Sequence, residues 1–322
     1  MQQKDIHRYS HSRISTYKQC PMKHHYTYVE QIETPETQSV IPGKMFHECV
    51  EAILTGQDTE PIFQEFRKLC TTGKLDYEPD LLEYIVSLYF QYYKSDYALE
   101  ETVMVEKEFK EDLEDNDYLT LIVDQAFYKN GMLTVRDLKT SQSKFKYDYD
   151  SVQYNSQLLL YLPFIEAELH EKVSAIQIDE IRLAKLKPVP LRANGKPSTD
   201  KKLLDFVTYE DYRNLLEEMD LQDDKEYQAI QDYLKQRGHP LFKRTTSQIT
   251  DQAVIDENAL EVVNVYHIIK DSIKQFESNG KHKCYRNKST LCNWCPFKDL
   301  CQLDFHNPGI ATRNMMIEKI KK

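Results

Sequence analysis

The sequence predicts an α/β fold, a central mixed sheet flanked by helices, and three observations carry that prediction. Two apolar runs flank Lys129-Asn130-Gly131, and an Asn-Gly pair readily takes the positive φ of a tight β-hairpin turn. Residues 173–187 alternate well enough, through Ile176, Ile178, Ile181 and Leu183, to form a further strand. Segments 44–55, 150–170 and 256–279 instead keep their apolar residues at helical spacing.

A chain of 322 residues can bury a substantial core. The pattern reads as one domain over residues 1–322. Within it, 12–100 form a helical N-terminal portion, 101–187 the core, 188–250 an insertion, and 251–322 a long helix with a cysteine cluster. Hydrophobic residues make up 40% and charged residues 29%, the mixture of an ordinary water-soluble domain. No apolar run approaches the roughly 18 residues of a membrane span, and the opening MQQKDIHRYSHSR has no secretory character, so a cytoplasmic location is expected. Seven cysteines, an odd number, fit a reducing compartment and a metal site better than a disulfide framework. The net charge of −10 argues against a protein that coats nucleic acid non-specifically, and leaves room for an enzyme with local positive potential.

In chain order, Ser12 reads as a cap for a short helix bearing Ile14 and Tyr17, which ends at Cys20-Pro21. After a polar linker ending in Pro42-Gly43, segment 44–55 places Phe46, Val50, Ile53 and Leu54 on one helical face, with His47 at its edge and Glu51 as a solvated charge. Residues 80–96, containing LLEYIVSLYFQYY, read as a core helix. Val103, Val105 and Phe109 mark a strand entering the sheet; it carries Glu106, either a support for a metal site or one more charge beside Glu108, Glu111 and Asp112.

The hairpin follows. Asp124 ends the apolar run of its first strand, and Asp137 and Lys139 lie two apart on the second, on one side of the pleat. Two carboxylates on paired strands, with a lysine beside one, suit Mg²⁺ or Mn²⁺ and phosphodiester hydrolysis; the bland alternative is a surface hairpin with ordinary charges. Tyr154, Gln157 and Tyr161 stand at i, i+3 and i+7 on the next predicted helix, on one face, and Pro163 is expected to bend that helix or begin a new turn.

Between residues 182 and 202 there are seven Lys or Arg against one acidic residue, Asp200. Lys185, Lys187, Lys201 and Lys202 are therefore candidates for holding a phosphate backbone. A short helix is expected near 209–219, in an acidic stretch facing solvent or a protein. Leu260, Val263, Tyr266, Ile269, Ile273 and Phe276 keep helical period up to a stop at Asn279-Gly280.

Cys292-x2-Cys295-x5-Cys301 brings three thiolates towards one centre, and the fourth ligand comes from elsewhere in the chain. Zn²⁺ and a [4Fe–4S] cluster both accept four cysteines, so spacing leaves both open. Cys20 and Cys284 compete for the fourth place. Cys49 and Cys70 read as small buried side chains, as does Cys284 if Cys20 is the ligand. Lys281, Lys283, Arg286 and Lys288 form either a nucleic-acid contact or a solvated basic loop.

Taken together, VDQ at 123–125, DLKTS at 137–141 and the Gln157/Tyr161 pair resemble the PD-(D/E)XK nuclease superfamily, with its restriction-endonuclease-like core. They look most like the RecB-like branch of AddB nuclease domains and CRISPR-associated RecB-like exonucleases. The resemblance runs from about Ser12 to Cys301 and skips a long interior stretch. It implies a metal held by His47, Asp124, Asp137 and the Leu138 backbone carbonyl, with Lys139 at the attacking water and Gln157 and Tyr161 behind it. It also implies an iron–sulfur closure through Cys20, Cys292, Cys295 and Cys301. The implied activity is a Mg²⁺- or Mn²⁺-dependent deoxyribonuclease, an exonuclease on single-stranded DNA ends. The implied setting is DNA recombination, repair or replication, in a phage or another mobile element, with a helicase or recombination partner for unwinding. The rival readings are a non-catalytic DNA-end-binding subunit and a zinc-stapled protein whose D-x-K is coincidental.

Overall fold

The computed structural model describes residues 7–35, 38, 40–142, 144–249, 251–279, 284–306 and 309–321. Its strands are β1 (Arg8–Tyr9), β2 (Glu100–Asp112), β3 (Tyr118–Lys129), β4 (Met132–Ser141), β5 (Ala175–Arg182) and β6 (Phe242–Gln248). Among its helices are α1 (His11–Gln19), α2 (Pro21–His24), α3 (Val40–Leu54), α4 (Glu60–Thr71), α5 (Leu81–Tyr92), α6 (Lys94–Tyr97), α7 (Tyr149–Gln153), α8 (Ser156–Leu169), α9 (Tyr209–Glu218), α10 (Lys225–Arg237), α11 (Gln252–Asn279), α12 (Lys298–Phe305) and α13 (Ile310–Ile320). The predicted α/β class, a mixed sheet flanked by helices, is what the chain adopts.

The sheet runs β2-β3-β4-β5-β6, with β1 beside the first residues of β3. The β4–β5 and β1–β3 pairs are parallel and the rest antiparallel. Asn130 at φ 53 and Gly131 at φ 75 make the β3–β4 turn that the Asn-Gly pair forecast. One face of the sheet packs Leu133, Val135 and Ile178 against α8 and α11, while the other face meets α3, α4 and α5 through Leu138, Ile181 and Phe242. Every residue of β5 is buried, as a central strand covered on both faces must be.

Several elements depart from expectation, each for a local reason. The first helix is capped by Ser10, whose hydroxyl accepts from Arg13 N at 3.3 Å, and not by Ser12. Helix α3 begins at Val40 and takes in Pro42 and Gly43, because proline is tolerated in a first turn where its N–H would have no partner. The predicted helix over 150–170 is two helices. Asn155, with extended φ/ψ, caps α8 by accepting from Leu158 N at 3.0 Å, so Tyr154 is left outside it and off the face of Gln157 and Tyr161. Helix α8 then continues through Pro163 to Leu169. The stretch read as insertion contains α10 as well as α9, joined by their own core of Tyr212, Leu216, Tyr227 and Leu234. Its last part, β6, belongs to the central sheet. On α11, Tyr266 and Ile269 are buried as expected, but Leu260 and Val263 face solvent. The predicted stop at Gly280 and the lysines Lys281 and Lys283 lie outside the described residues. Among the described residues, no helix is long and apolar enough to cross a membrane.

Candidate active site

The site grows out of a point where strands part. The β3–β4 ladder runs from Lys129↔Met132 to Gln125↔Arg136 and stops there. Beyond it, Asp124 and Asp137 occupy the first positions without a rung. Leu138 N donates to Asp124 Oδ2 at 2.7 Å, so the amide bonds a side chain where a regular sheet would offer a backbone carbonyl.

Helix α3 delivers His47. Gly43 lets it lie close on β4, since a Cβ there would run into Thr140 Oγ1. One turn later, His47 Nδ1 lies 3.5 Å from Asp124 Oδ2 and 3.7 Å from Glu106 Oε1. The G-x-x-x-H spacing thus has a mechanical sense: the glycine sets the approach of the helix and the histidine uses it.

Strand β2 delivers Glu106 opposite Asp124, just past a register shift between Thr102 and Met104. Glu106 itself has φ 44, a left-handed backbone that costs a non-glycine residue about 1–3 kcal/mol and persists only where the surroundings enforce it. His47, Glu106 and Asp124 bring ligand atoms within 4.8 Å of one another. The sequence alone left Glu106 indistinguishable from the acids beside it. Asp137 stands next to this group and beside Lys139, with Oδ2 2.8 Å from Nζ.

Lys139 Nζ also donates to Gln157 Oε1 at 2.7 Å, and Gln157 Nε2 in turn donates to the hydroxyl of Tyr161. Gln157 and Tyr161 of α8 thus stand in a hydrogen-bonded line behind the lysine. Burial opposes the charge on Lys139, but Asp137 and then Asp124 outweigh it and raise its pKa, so the ammonium is permanent. Burial and the neighbouring Asp137 push Asp124 up to about 7, against the pull of His47 and the Leu138 amide. Burial would lower His47, yet Glu106, Asp124 and Asp137 together raise it. Three carboxylates thus face one fixed cation and one titratable imidazole. Two hard oxygen ligands and an imidazole suit Mg²⁺ or Mn²⁺, and the excess negative charge is what such an ion neutralises.

His47, Glu106, Leu138 and Lys139 line a cleft of about 810 Å³, with Lys44, Glu48, Glu51 and Gln142 at its sides. A residue the sequence did not reveal stands nearby: burial and then the Lys139 ammonium hold the His11 imidazole down to about 4, at the start of α1.

Residues 8–302, nearly the whole chain, match the PD-(D/E)XK nuclease superfamily. The chain belongs to that superfamily. No curated protein matches it. Membership implies a metal-dependent nuclease with DNA as its substrate.

At the far end of α1, Cys20, Cys292, Cys295 and Cys301 line one cavity of about 360 Å³. Cys284 turns elsewhere, to Ser272 Oγ at 3.3 Å, and His25 holds its thiol below the ordinary range against the effect of burial. Among the described residues, no three cysteine sulfurs lie within 4.8 Å of one another. Cys49 is fully buried as expected, and Cys70 half-buried. Of the basic residues put forward as a phosphate track, Lys185 binds Glu78 and Asp80 at 2.6 and 2.9 Å. Lys187 and Lys201 lie over Phe206 and Tyr233, and Lys202 is exposed.

Proposed function

We propose that the chain is a Mg²⁺- or Mn²⁺-dependent deoxyribonuclease of the RecB-like kind, an exonuclease acting on single-stranded DNA ends in recombination, repair or replication. The observation that carries this reading is the convergence of His47, Glu106 and Asp124 beside the Asp137–Lys139 pair, where β3 and β4 separate. A bound divalent cation would polarise the scissile phosphate and lower the pKa of a water. In this reading His47, Asp124, Asp137 and the Leu138 carbonyl hold that ion, with Glu106 beside them. Asp137 sets the position of Lys139, and Lys139 orients the attacking water and offsets the charge that builds on the phosphorus oxygens. The ammonium stays protonated and so serves as an electrostatic group, while Gln157 and Tyr161 keep it aimed. A cytoplasmic location and an iron–sulfur closure through Cys20, Cys292, Cys295 and Cys301 complete the proposal. The closure is supported by the shared cavity and by the hydrogen bond that engages Cys284 with Ser272.

The test is cleavage of single-stranded DNA labelled at either end, with Mg²⁺ or Mn²⁺, by wild type and by Asp137→Ala and Lys139→Ala. Loss of about 10²–10³-fold or more is expected in both variants, with the iron content unchanged, and the label released first reports the polarity. Cleavage at wild-type rate in the variants would remove the catalytic assignment. No cleavage by a metal-loaded wild type would leave a DNA-end-binding subunit.

A further inference from the structure

We propose that Trp294 is a base-stacking platform for single-stranded DNA, with Lys23, Lys288 and Lys298 around it holding the phosphates. The proposal rests on the nuclease reading and adds a second contact to it, remote from the cleft.

Trp294 is the chain's one tryptophan, and it is 87% exposed. An indole is usually mostly buried, so one left almost wholly in water asks for a partner. Its backbone is held, since it closes the turn Thr290–Trp294, capped by Ser289 Oγ accepting from Leu291 N at 3.3 Å and followed by Cys295 N donating to Cys292 O at 3.4 Å. Trp294 and Leu291 share a cavity of about 130 Å³ with Lys23, Asn287 and Ser289. Leu291 is itself 52% exposed.

The local charge fits the same partner. Residues 284–298 contain Arg286, Lys288 and Lys298 and no Asp or Glu, within a chain of net charge −10. Lys23 joins them from α2, and among the described residues its Nζ bonds the neutral Gln19 side chain, at 3.1 Å. Flat ring plus clustered ammonium groups is the pairing that binds unpaired strands, because every unpaired base has a face to stack and every nucleotide a phosphate to neutralise.

Position supplies the link to the cleft. Helix α1 runs from His11, near Lys139, to Gln19, beside Cys20 in the cysteine cavity. Nine helical residues rise about 13–14 Å, short enough for one strand to meet both places. Between them α1 exposes Ser12, Ser15 and Lys18.

The protein, with whatever metal its cysteines hold, is titrated with oligothymidylate, without added Mg²⁺ or Mn²⁺. The anisotropy of a labelled oligothymidylate is read, with photo-crosslinking of 5-iodouracil-substituted oligonucleotide to Trp294 mapped in parallel. The proposal expects a crosslink at Trp294 and about 10-fold or greater loss of affinity in Trp294→Ala. Trp294→Phe should retain much of the affinity, and the salt dependence should be shallower in Lys288→Glu/Lys298→Glu. Unchanged metal content in each variant controls for folding. Binding seen by anisotropy with no crosslink at Trp294 and a wild-type affinity in Trp294→Ala would overturn the platform alone, as would equal affinity for blunt duplex. No anisotropy change with wild type would overturn the DNA-processing reading beneath it, and the platform with it.

Discussion

Strand β4 takes part in two charge clusters that differ in one respect. In the first, Arg136, Arg244 and Lys129 meet Asp179, Glu100 and Asp96. Arg244 grips Asp179 at 2.8 and 2.7 Å, Tyr89 donates to it at 2.5 Å, and Arg136 reaches Glu100 at 2.6 Å and Gln125 at 2.7 Å. Where β3 and β4 part, Glu106, Asp124 and Asp137 meet Lys139 and His47. Burial works to raise the carboxyl pKa in both places. Arg136 and Arg244 overcome it at Asp179, which is held below the ordinary range, whereas at Asp124 Asp137 adds to it and the pKa reaches about 7. Each cluster leaves a buried oxygen without a hydrogen bond, Glu100 Oε2 in one and Asp137 Oδ2 in the other. What separates framework from site is therefore the match of charges: three against three in the first cluster, three acids against a lysine and a titratable imidazole in the second.

The sharpest way to break that comparison is to remove one carboxylate from each cluster. Asp179→Ala strands two guanidinium groups in the interior and should cost about 3–5 kcal/mol in urea unfolding. Asp124→Asn relieves like-charge crowding and should leave stability unchanged or higher, while abolishing cleavage. Equal losses of stability in the two variants would mean that both clusters are framework.

A smaller effect separates the clusters by ligand. Mg²⁺ or Mn²⁺ should raise the thermal midpoint of the wild type, by the equivalent of about 2.7 kcal/mol when the ion stands at a hundred times its Kd. Asp124→Asn should lose most of this shift, and Glu106→Gln part of it. The same shift in wild type and Asp124→Asn would place the ion somewhere other than between β3 and α3.

Much of the site could be read before the structure because its signals are local. Asn130-Gly131 announces the hairpin through positive φ, strand alternation puts Asp137 and Lys139 together, and four-residue spacing puts Gln157 and Tyr161 on one helical face. The rest depends on what periodicity does not encode. Glu106 reaches His47 by way of a bulge and its own left-handed backbone, both invisible among neighbouring acids. Tyr154 keeps helical spacing but loses its helix to the cap at Asn155. Strand β6, Phe-Lys-Arg-Thr-Thr-Ser-Gln, looks like a polar loop because its burial is secured by distant charge: Arg244 is dragged inside by Asp179, 65 residues earlier, and stacks over Tyr93 at 3.8 Å.

His24 provides a third arrangement, and the smallest expected effect. It is 2% exposed, Arg13 Nε donates to its Nε2 at 3.2 Å, and burial followed by the charges of Arg13 and His25 holds its pKa down to about 3. Here burial and crowding of positive charge are resolved by loss of a proton. The folded state keeps His24 neutral while the unfolded chain protonates it below about pH 6.5. The unfolded state therefore binds more protons across this window, and stability falls as the pH drops from about 6.5 towards 3. Between pH 6 and 5 that single group accounts for about 1 kcal/mol. His24→Gln, whose amide oxygen can still accept from Arg13, should flatten the pH dependence of urea unfolding by that amount. An unchanged slope would mean that the imidazole is already charged in the fold, with Arg13 donating elsewhere, and that burial at this position tolerates two like charges.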